Sequence, residues 1–210
     1  MRRQAFTLGL MSTTRIILSG LLAGIAMFIW SAIAHMVLPL GEAGVHRQIP
    51  NEDQLLASIQ TNLGDNAGLY LFPALGVSDN ASRQEMKDAM SHYEEKLAHN
   101  PSGVLMYHPM GTRPFEFGKL FLIEFGTELL EAILAVYLLA QTRVSSFVGR
   151  VGFVFVIGIV AAVATNVSYW NWYGFPSAYT AAYMTIQIVG FLCAGLVAAI
   201  SLPKGGPVPR

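Results

Sequence analysis

The order of apolar and polar positions divides the chain into four long apolar runs and one long polar stretch. Each run has roughly the 20 residues that an α-helix needs to cross a bilayer, and backbone groups inside lipid must be hydrogen-bonded within a helix. We therefore predict an all-α membrane protein, a four-transmembrane-helix bundle with a small extracytoplasmic α+β cap formed by the first loop. The predicted segments are a cytoplasmic N-terminus at 1–15, spans TM1 to TM4 at 16–38, 119–141, 151–169 and 178–202, an extracytoplasmic loop at 39–118, a cytoplasmic loop at 142–150, an extracytoplasmic turn at 170–177 and a cytoplasmic C-terminus at 203–210.

The long polar stretch after the first run carries two helix signals, and it is too long to be a plain connection. One helix is predicted to begin after Asn51, which can act as its N-cap, and to end at Gly64. A second is predicted from about Ser82 to His99, because Ser82 and Glu85 have the spacing of a capping box.

Two short apolar pieces follow these helices, at 68–73 and 103–109, and each begins with glycine and ends in proline. They predict a two-stranded ribbon, which needs the helices as cover to be stable. Helices and ribbon together would form the α+β cap at the outer mouth of the bundle. The alternative is a partly mobile loop that packs only against the bundle.

The distribution of basic residues predicts the orientation, because Lys and Arg are retained on the cytoplasmic side of a membrane. The long loop carries ten acidic and five basic residues, whereas both ends of the chain and the connection between the second and third runs are basic. Both termini are therefore predicted to be cytoplasmic. The basic residues that support this orientation are Arg2, Arg3, Arg15, Arg143, Arg150, Lys204 and Arg210.

The first apolar run has an alternative interpretation as a cleaved signal peptide. It has a basic start, and Ala32-Ile33-Ala34 fits the small-x-small cleavage pattern. At about 23 residues the run is longer than an ordinary signal core, so a retained span is favoured. Cleavage would make His35 an N-terminal histidine, which is a strong arrangement for binding copper.

Composition supports a membrane protein and excludes some partners. Hydrophobic residues make up 53% of the chain and charged residues 12%, whereas soluble domains carry about 25% charged residues. The net charge is zero, so the expected partner is the lipid bilayer and not a nucleic acid. Cys193 is the one cysteine, which excludes an internal disulfide.

The second apolar run carries the residues most suited to chemistry. Glu124, Glu128 and Glu131 are spaced so that they share one face of a helix. An ionised carboxylate at mid-membrane costs at least a few kcal/mol, so such groups must be protonated, hydrogen-bonded, metal-bound or open to water. The ligand-site or proton-site candidates at similar depth are Glu124, Glu128, Glu131, His35, Asn166, Tyr183 and Gln187.

Three interpretations of this carboxylate face stay open. The acids can be protonated structural groups that hydrogen-bond to neighbouring polar side chains or to a partner protein. They can form a site for a proton or a small polar solute. No cofactor is evident, but His35, Glu124 and Glu128 are ligand types that could bind a divalent metal.

Gly20 and Gly24 form a G-x-x-x-G pattern in the first run, which allows another helix to pack closely. The pattern indicates helix packing, with self-association or contact with other membrane subunits as a further expectation. Near the end of the third run, the aromatic sequence at 171–176 indicates a rigid turn and an interfacial anchor.

Three stretches, His35–Glu42, Gly68–Pro73 and Ser168–Pro176, together resemble bacterial inner-membrane proteins of about this size, with four spans and a large first extracytoplasmic loop. The resemblance implies the same architecture and a bacterial inner (plasma) membrane location. No function is assigned to those proteins, so the resemblance implies no catalytic residue, cofactor or substrate.

The sequence favours a non-enzymatic accessory, assembly or scaffold subunit of a membrane. The chain is small, and the common phosphate-binding, zinc-protease and serine-hydrolase motifs are missing from it. The alternative is a small transporter or a proton- or metal-handling membrane protein that uses the carboxylates of the second run.

Overall fold

The computed structural model describes residues 2–78 and 80–202, with side chains from Thr13 onward. The C-terminal segment 203–210, predicted to be cytoplasmic, lies outside the described residues. The chain divides into two compact units, the first formed by Met1–His46 and Glu116–Arg210 and the second by Arg47–Phe115. Within the described residues the elements are α1 (Arg2–Met36), α2 (Glu52–Leu63), β1 (Gly68–Phe72), α3 (Arg83–His99), β2 (Gly103–Tyr107), α4 (Phe117–Ala140), α5 (Phe147–Tyr173) and α6 (Ser177–Ser201).

Three of the described helices are long and apolar enough to cross a membrane. They are Thr13–Met36 within α1, Phe147–Tyr173 and Ser177–Ser201. The predicted helices α1, α5 and α6 are thus confirmed in type and approximate position. Helix α4 also forms where a helix was predicted, but its four charged residues leave it outside this set. A fourth span therefore stays a prediction.

The corner between α5 and α6 is shorter than expected. Helix α5 continues through Trp172 and Tyr173, and it ends at Gly174, whose backbone is left-handed. The predicted turn at 170–177 is therefore reduced to residues 174–176. The first part of the aromatic sequence is helical because Gly174 supplies the left-handed C-cap conformation that a side chain would resist.

Gly20 and Gly24 of α1 pack directly against α4. A β-carbon at Gly24 would lie 2.7 Å from the Cα atom of Leu129, and one at Gly20 would lie 2.7 Å from the Cα atom of Ile133. The two helices are antiparallel, since rising numbers in α1 meet falling numbers in α4. The G-x-x-x-G surface is occupied by α4 of the same chain, and self-association of the chain stays a prediction.

Helix α6 packs against both α1 and α5. The Trp30 indole donates to the carbonyl of Ile186 at 2.8 Å, and the hydroxyls of Ser19 and Ser201 lie 2.6 Å apart. These pairs make α6 antiparallel to α1. On its other side α6 fits closely against α5, because a β-carbon at Gly158 of α5 would collide with the Phe191 side chain of α6.

The apolar core of the first unit lies in the half that contains the connection from α4 to α5. All four buried residues of α4 lie in its second half, and three of the four buried residues of α5 lie in its first. The core consists of Ala23, Met27, Ala132, Ala135, Val136, Leu139, Val154, Phe191, Ala194, Ala198 and Leu202.

Arg150 was expected in a cytoplasmic loop, but it lies in the first turn of α5 and is only 3% exposed. Its Nη1 atom donates to the carbonyl of Leu202 at 2.6 Å, and its Nε atom donates to the carbonyl of Val144 at 3.3 Å. Carbonyls at a helix end carry partial negative charge. The guanidinium therefore ties the end of α6 to the start of α5.

The helices of the second unit begin differently. Helix α3 has the predicted capping box: the Ser82 amide donates to the Glu85 carboxylate at 2.8 Å, and the Glu85 amide donates to the Ser82 hydroxyl at 3.2 Å. The prediction that the Asn51 side chain caps α2 was wrong, since Asn51 makes no such hydrogen bond. Its backbone is left-handed, and its carbonyl instead accepts from the amide of Gln54.

The predicted ribbon is confirmed as an antiparallel pair of strands. Gly68 pairs with Tyr107 and Leu69 with Met106. The Tyr107 side chain is buried, and its hydroxyl donates to the Gly64 carbonyl at the end of α2 at 2.7 Å. On the α3 side, the Tyr93 hydroxyl donates to the carbonyl of Pro73 at 3.0 Å. Tyrosine hydroxyls thus link the ribbon to both helices.

Candidate functional site

The three carboxylates of α4 share one stretch of helix beside α1. Glu128 lies where the two helices are closest, since a β-carbon at Gly24 would be 3.1 Å from its carbonyl oxygen. Glu124 and Glu131 flank it and are close enough for their charges to interact. Glu128 and Glu131 are half-buried and Glu124 is exposed. The predicted common face therefore forms.

Ser31 of α1 connects the carboxylates with His35. Its buried side chain is a hydrogen-bonding neighbour of the Glu128 carboxyl. Its carbonyl oxygen lies 2.9 Å from Nδ1 of His35, one turn further along α1. A single serine therefore contacts the acidic face with its hydroxyl and the imidazole with its backbone.

His35 is the first ring of an aromatic row that continues onto α6. Its imidazole meets the Tyr183 ring edge-on, with ring centroids 5.8 Å apart. Tyr183 stacks on Tyr179 at 4.2 Å, and Tyr179 meets Phe175 at 5.5 Å. The Glu124 carboxylate lies within electrostatic range of Tyr183. Side chains from α1 and α6 thus meet, within electrostatic range of a carboxylate of α4.

The segment 37–46 covers part of this aromatic row. A β-carbon at Gly41 would lie 2.5 Å from the His35 ring, so the chain turns back directly onto the imidazole. Gly44 has a positive φ of 73°, and a β-carbon there would lie 2.9 Å from the Tyr179 amide nitrogen. Glycine is required at both turns because any side chain would collide.

Asn166 and Gln187 meet each other between α5 and α6. The Asn166 amide donates to the carbonyl of Ala162 at 3.0 Å and to Oε1 of Gln187 at 3.4 Å. Within the described residues, neither amide has a hydrogen bond to the α4 carboxylates. Of the seven predicted site residues, the structure brings His35 into contact with Tyr183, keeps the three glutamates close to one another on α4, and pairs the two amides with each other.

The described residues contain no group of three His, Cys, Asp or Glu side chains that could hold a metal ion. The metal candidates His35, Glu124 and Glu128 are thus neighbours without being a ligand set. Glu128 instead has the Ser31 hydroxyl as its hydrogen-bonding neighbour, and the His35 imidazole meets the Tyr183 ring.

The first half of α4 is only partly covered by the other described helices of its unit, mainly through Phe28 of α1, whose ring contacts Phe121 and Phe125. None of residues 117–131 is buried, whereas the second half of the helix joins the core. Its exposed apolar side chains include Leu120 at 47% and Leu134 at 52%, on either side of exposed Thr127. The acids are consequently at the border between the packed seam with α1 and this exposed surface.

Two contributors to the site were not among the predicted site residues. Ser31 is a small residue in an apolar run and gives no signal of its own, because its role depends on which helix packs beside it. Tyr179 precedes Tyr183 by one helical turn, and this spacing, typical of side chains that stack along a helix, could have indicated the pair.

The fold and the site define a mostly helical protein with three described helices able to cross a membrane, an attached α+β unit, and a polar site made by α1, α4 and α6. Comparisons with family models, with curated proteins and with solved structures give no match to this chain.

Proposed function

We propose that the chain is a four-span integral protein of a bacterial inner membrane. The support for α4 as the fourth span is its packing, because Gly20 and Gly24 bring its backbone against the middle of α1. A helix that packs so closely on the middle of a membrane span shares its depth. The 24 residues of α4 extend about 36 Å at 1.5 Å per residue, which is enough to cross.

The proposed orientation has both termini in the cytoplasm and the second unit outside. Four crossings return the chain to the side on which it began, and the antiparallel packing of α4 and α6 on α1 is consistent with this path. The excess of acidic residues in the long loop supports its external placement.

The proposed role is that of a non-enzymatic accessory or assembly subunit whose α4 contacts a membrane partner. One observation carries the proposal: the first half of α4 holds carboxyl groups beside an exposed helix surface. Carboxyl groups that face hydrocarbon are costly. A partner helix with hydroxyl or amide side chains would cover the surface and hydrogen-bond to the carboxyl groups.

A photo-cross-linking amino acid at Thr127 tests this role, since Thr127 is exposed beside the acidic face. The expected result is one defined protein adduct in native membranes, with Val160 on α5, 63% exposed, as the control that cross-links to lipid. The adduct should persist in Glu128→Gln, because the amide keeps a neutral hydrogen-bonding group, and should be lost in Glu128→Leu. Lipid adducts alone at Thr127, or an adduct that persists in Glu128→Leu, would refute the role.

A second function is supported by a different observation, the succession of Glu128, Ser31 and His35, in which Ser31 meets Glu128 through its hydroxyl and His35 through its backbone carbonyl. Such a chain of polar groups from the interior of a helix pair to its end suits a proton or a small cationic solute. In this case Glu128→Gln would abolish uptake or proton release by proteoliposomes while leaving the helix content unchanged. The two functions therefore differ in the behaviour of one conservative variant.

A further inference from the structure

The two faces of the β-ribbon of the second unit differ in how far they are covered: Tyr107 on one face is buried, and Phe72 at the other end of that face is 43% exposed. Residues directly opposite each other in an antiparallel pair share a face, so Leu69, Leu71 and Met106 are on the same side of the ribbon. They are 56%, 50% and 68% exposed. The other face carries Tyr107, which is buried and bonded to the end of α2. We call the set Leu69, Leu71 and Met106 the ribbon face.

The two strands and the segments next to them carry no charged residue of their own. The segments 66–78 and 100–112 contain no Asp, Glu, Lys or Arg, whereas α2 and α3 carry nine such residues between them. The unit is therefore amphipathic, with charged helices and an apolar, uncharged ribbon. A contiguous apolar patch on a small unit marks an interaction surface.

The connection to α4 indicates which partner is within reach. Strand β2 ends at Tyr107 and α4 begins at Phe117, and the intervening residues 108–116 can extend at most about 30 Å. Met110 and Phe115 on this connection are 84% and 81% exposed. Apolar and aromatic side chains next to the end of a span are typical of the membrane interface.

We propose that the ribbon face binds the lipid bilayer, with Leu69, Leu71 and Met106 inserted at the boundary between headgroups and acyl chains. The proposal rests on the placement of α4 in the membrane and is independent of any role of its carboxyl groups. The charged helices then remain in water, while the uncharged ribbon avoids the cost of desolvating ions.

Quenching of a fluorescent label distinguishes lipid from water and from protein. In a Cys193→Ser background, single cysteines replace Leu69 or Met106 on the ribbon face, and Lys87 on exposed α3 serves as the control. Each variant carries the NBD fluorophore in phosphatidylcholine nanodiscs. Labels on the ribbon face should lose fluorescence when the lipid is brominated and should be shielded from iodide, and the label at Lys87 should show the opposite.

Two outcomes would overturn the proposal. Iodide quenching at both ribbon positions would mean that the face is in water. Shielding from both quenchers would mean that protein covers it. A label at Leu122, which is 68% exposed on α4, serves as the reference for the fourth span. If brominated lipid quenches the label at Leu122 and does not quench the labels on the ribbon face, the fourth span stands and this inference fails. Leu71→Cys replaces either ribbon variant that does not fold.

Discussion

Replacement of Gly24 by alanine adds one carbon atom at the closest approach of α1 and α4. The new Cβ would lie 2.7 Å from the Cα atom of Leu129, whereas ordinary contact begins at 3.4 Å. The obstacle is backbone, so a rotamer change cannot relieve it, and the helices must separate by about 0.7 Å locally. Overpacking of this kind costs about 1–3 kcal/mol.

Alanine also gains about 1 kcal/mol of helix propensity over glycine, and this gain would conceal part of the loss. Gly126→Ala is the matched control, because Gly126 is also helical and a β-carbon there meets nothing within 4 Å. The difference between the two variants cancels the propensity and leaves the clash. Gly24→Ala should therefore be less stable than Gly126→Ala by about 1–3 kcal/mol.

The assay is unfolding by sodium dodecyl sulfate in mixed micelles, followed by circular dichroism of the helices. Equal stability of Gly24→Ala and Gly126→Ala would refute the close seam between α1 and α4. A change from dimer to monomer in Gly24→Ala, with unchanged monomer stability, would show instead that Gly24 joins two copies of the chain.

Further substitutions test the helix ends. Arg150→Met should destabilise the first unit by about 1.5–3 kcal/mol in the same assay, because it removes hydrogen bonds from a charged donor to the carbonyls of Leu202 and Val144. An unfolding curve equal to that of wild type would contradict the stabilising contact between the start of α5 and the end of α6. Ser82→Ala should weaken α3 by about 1 kcal/mol, measured by hydrogen exchange of its amides, and protection equal to wild type would show that the cap is not used. The backbone and side-chain hydrogen bonds from Ser82 lower the pKa of Glu85 below its ordinary 4.5. The contribution of the ionised Glu85 carboxylate to the stability of α3 is therefore present above about pH 4.5 and is lost as the pH falls through the folded-state pKa. The difference in amide exchange between wild type and Glu85→Gln should consequently disappear in acid. A difference that persists in acid would contradict this origin.

Local signals were sufficient for most of the secondary structure. The capping box at Ser82, the stop at Gly64 and the two glycine-initiated strands appear where expected, because each depends on residues only a few positions apart. Asn51 is the exception. Its left-handed backbone and unused side chain depend on how the chain enters α2, and its residue type did not reveal this conformation.

The candidate site was only partly predictable. The helical period placed the three glutamates on one face. His35 and Tyr183 were selected because their positions within their own apolar runs predict a similar depth in the membrane. Which groups touch depends on the rotation of each helix about its axis. The same depth argument therefore included Asn166 and Gln187, which pair with each other instead.

The sequence by itself determined the apolar helices, the amphipathic second unit and the carboxyl groups along one face of α4, because hydropathy, periodicity and capping act over one or two turns. Only the tertiary structure decided that Gly20 and Gly24 face α4, that Ser31 connects Glu128 with His35, and that Arg150 is buried at the end of α6. These contacts join residues far apart in the chain, and they depend on helix pairing, which the pattern of a single helix leaves undetermined.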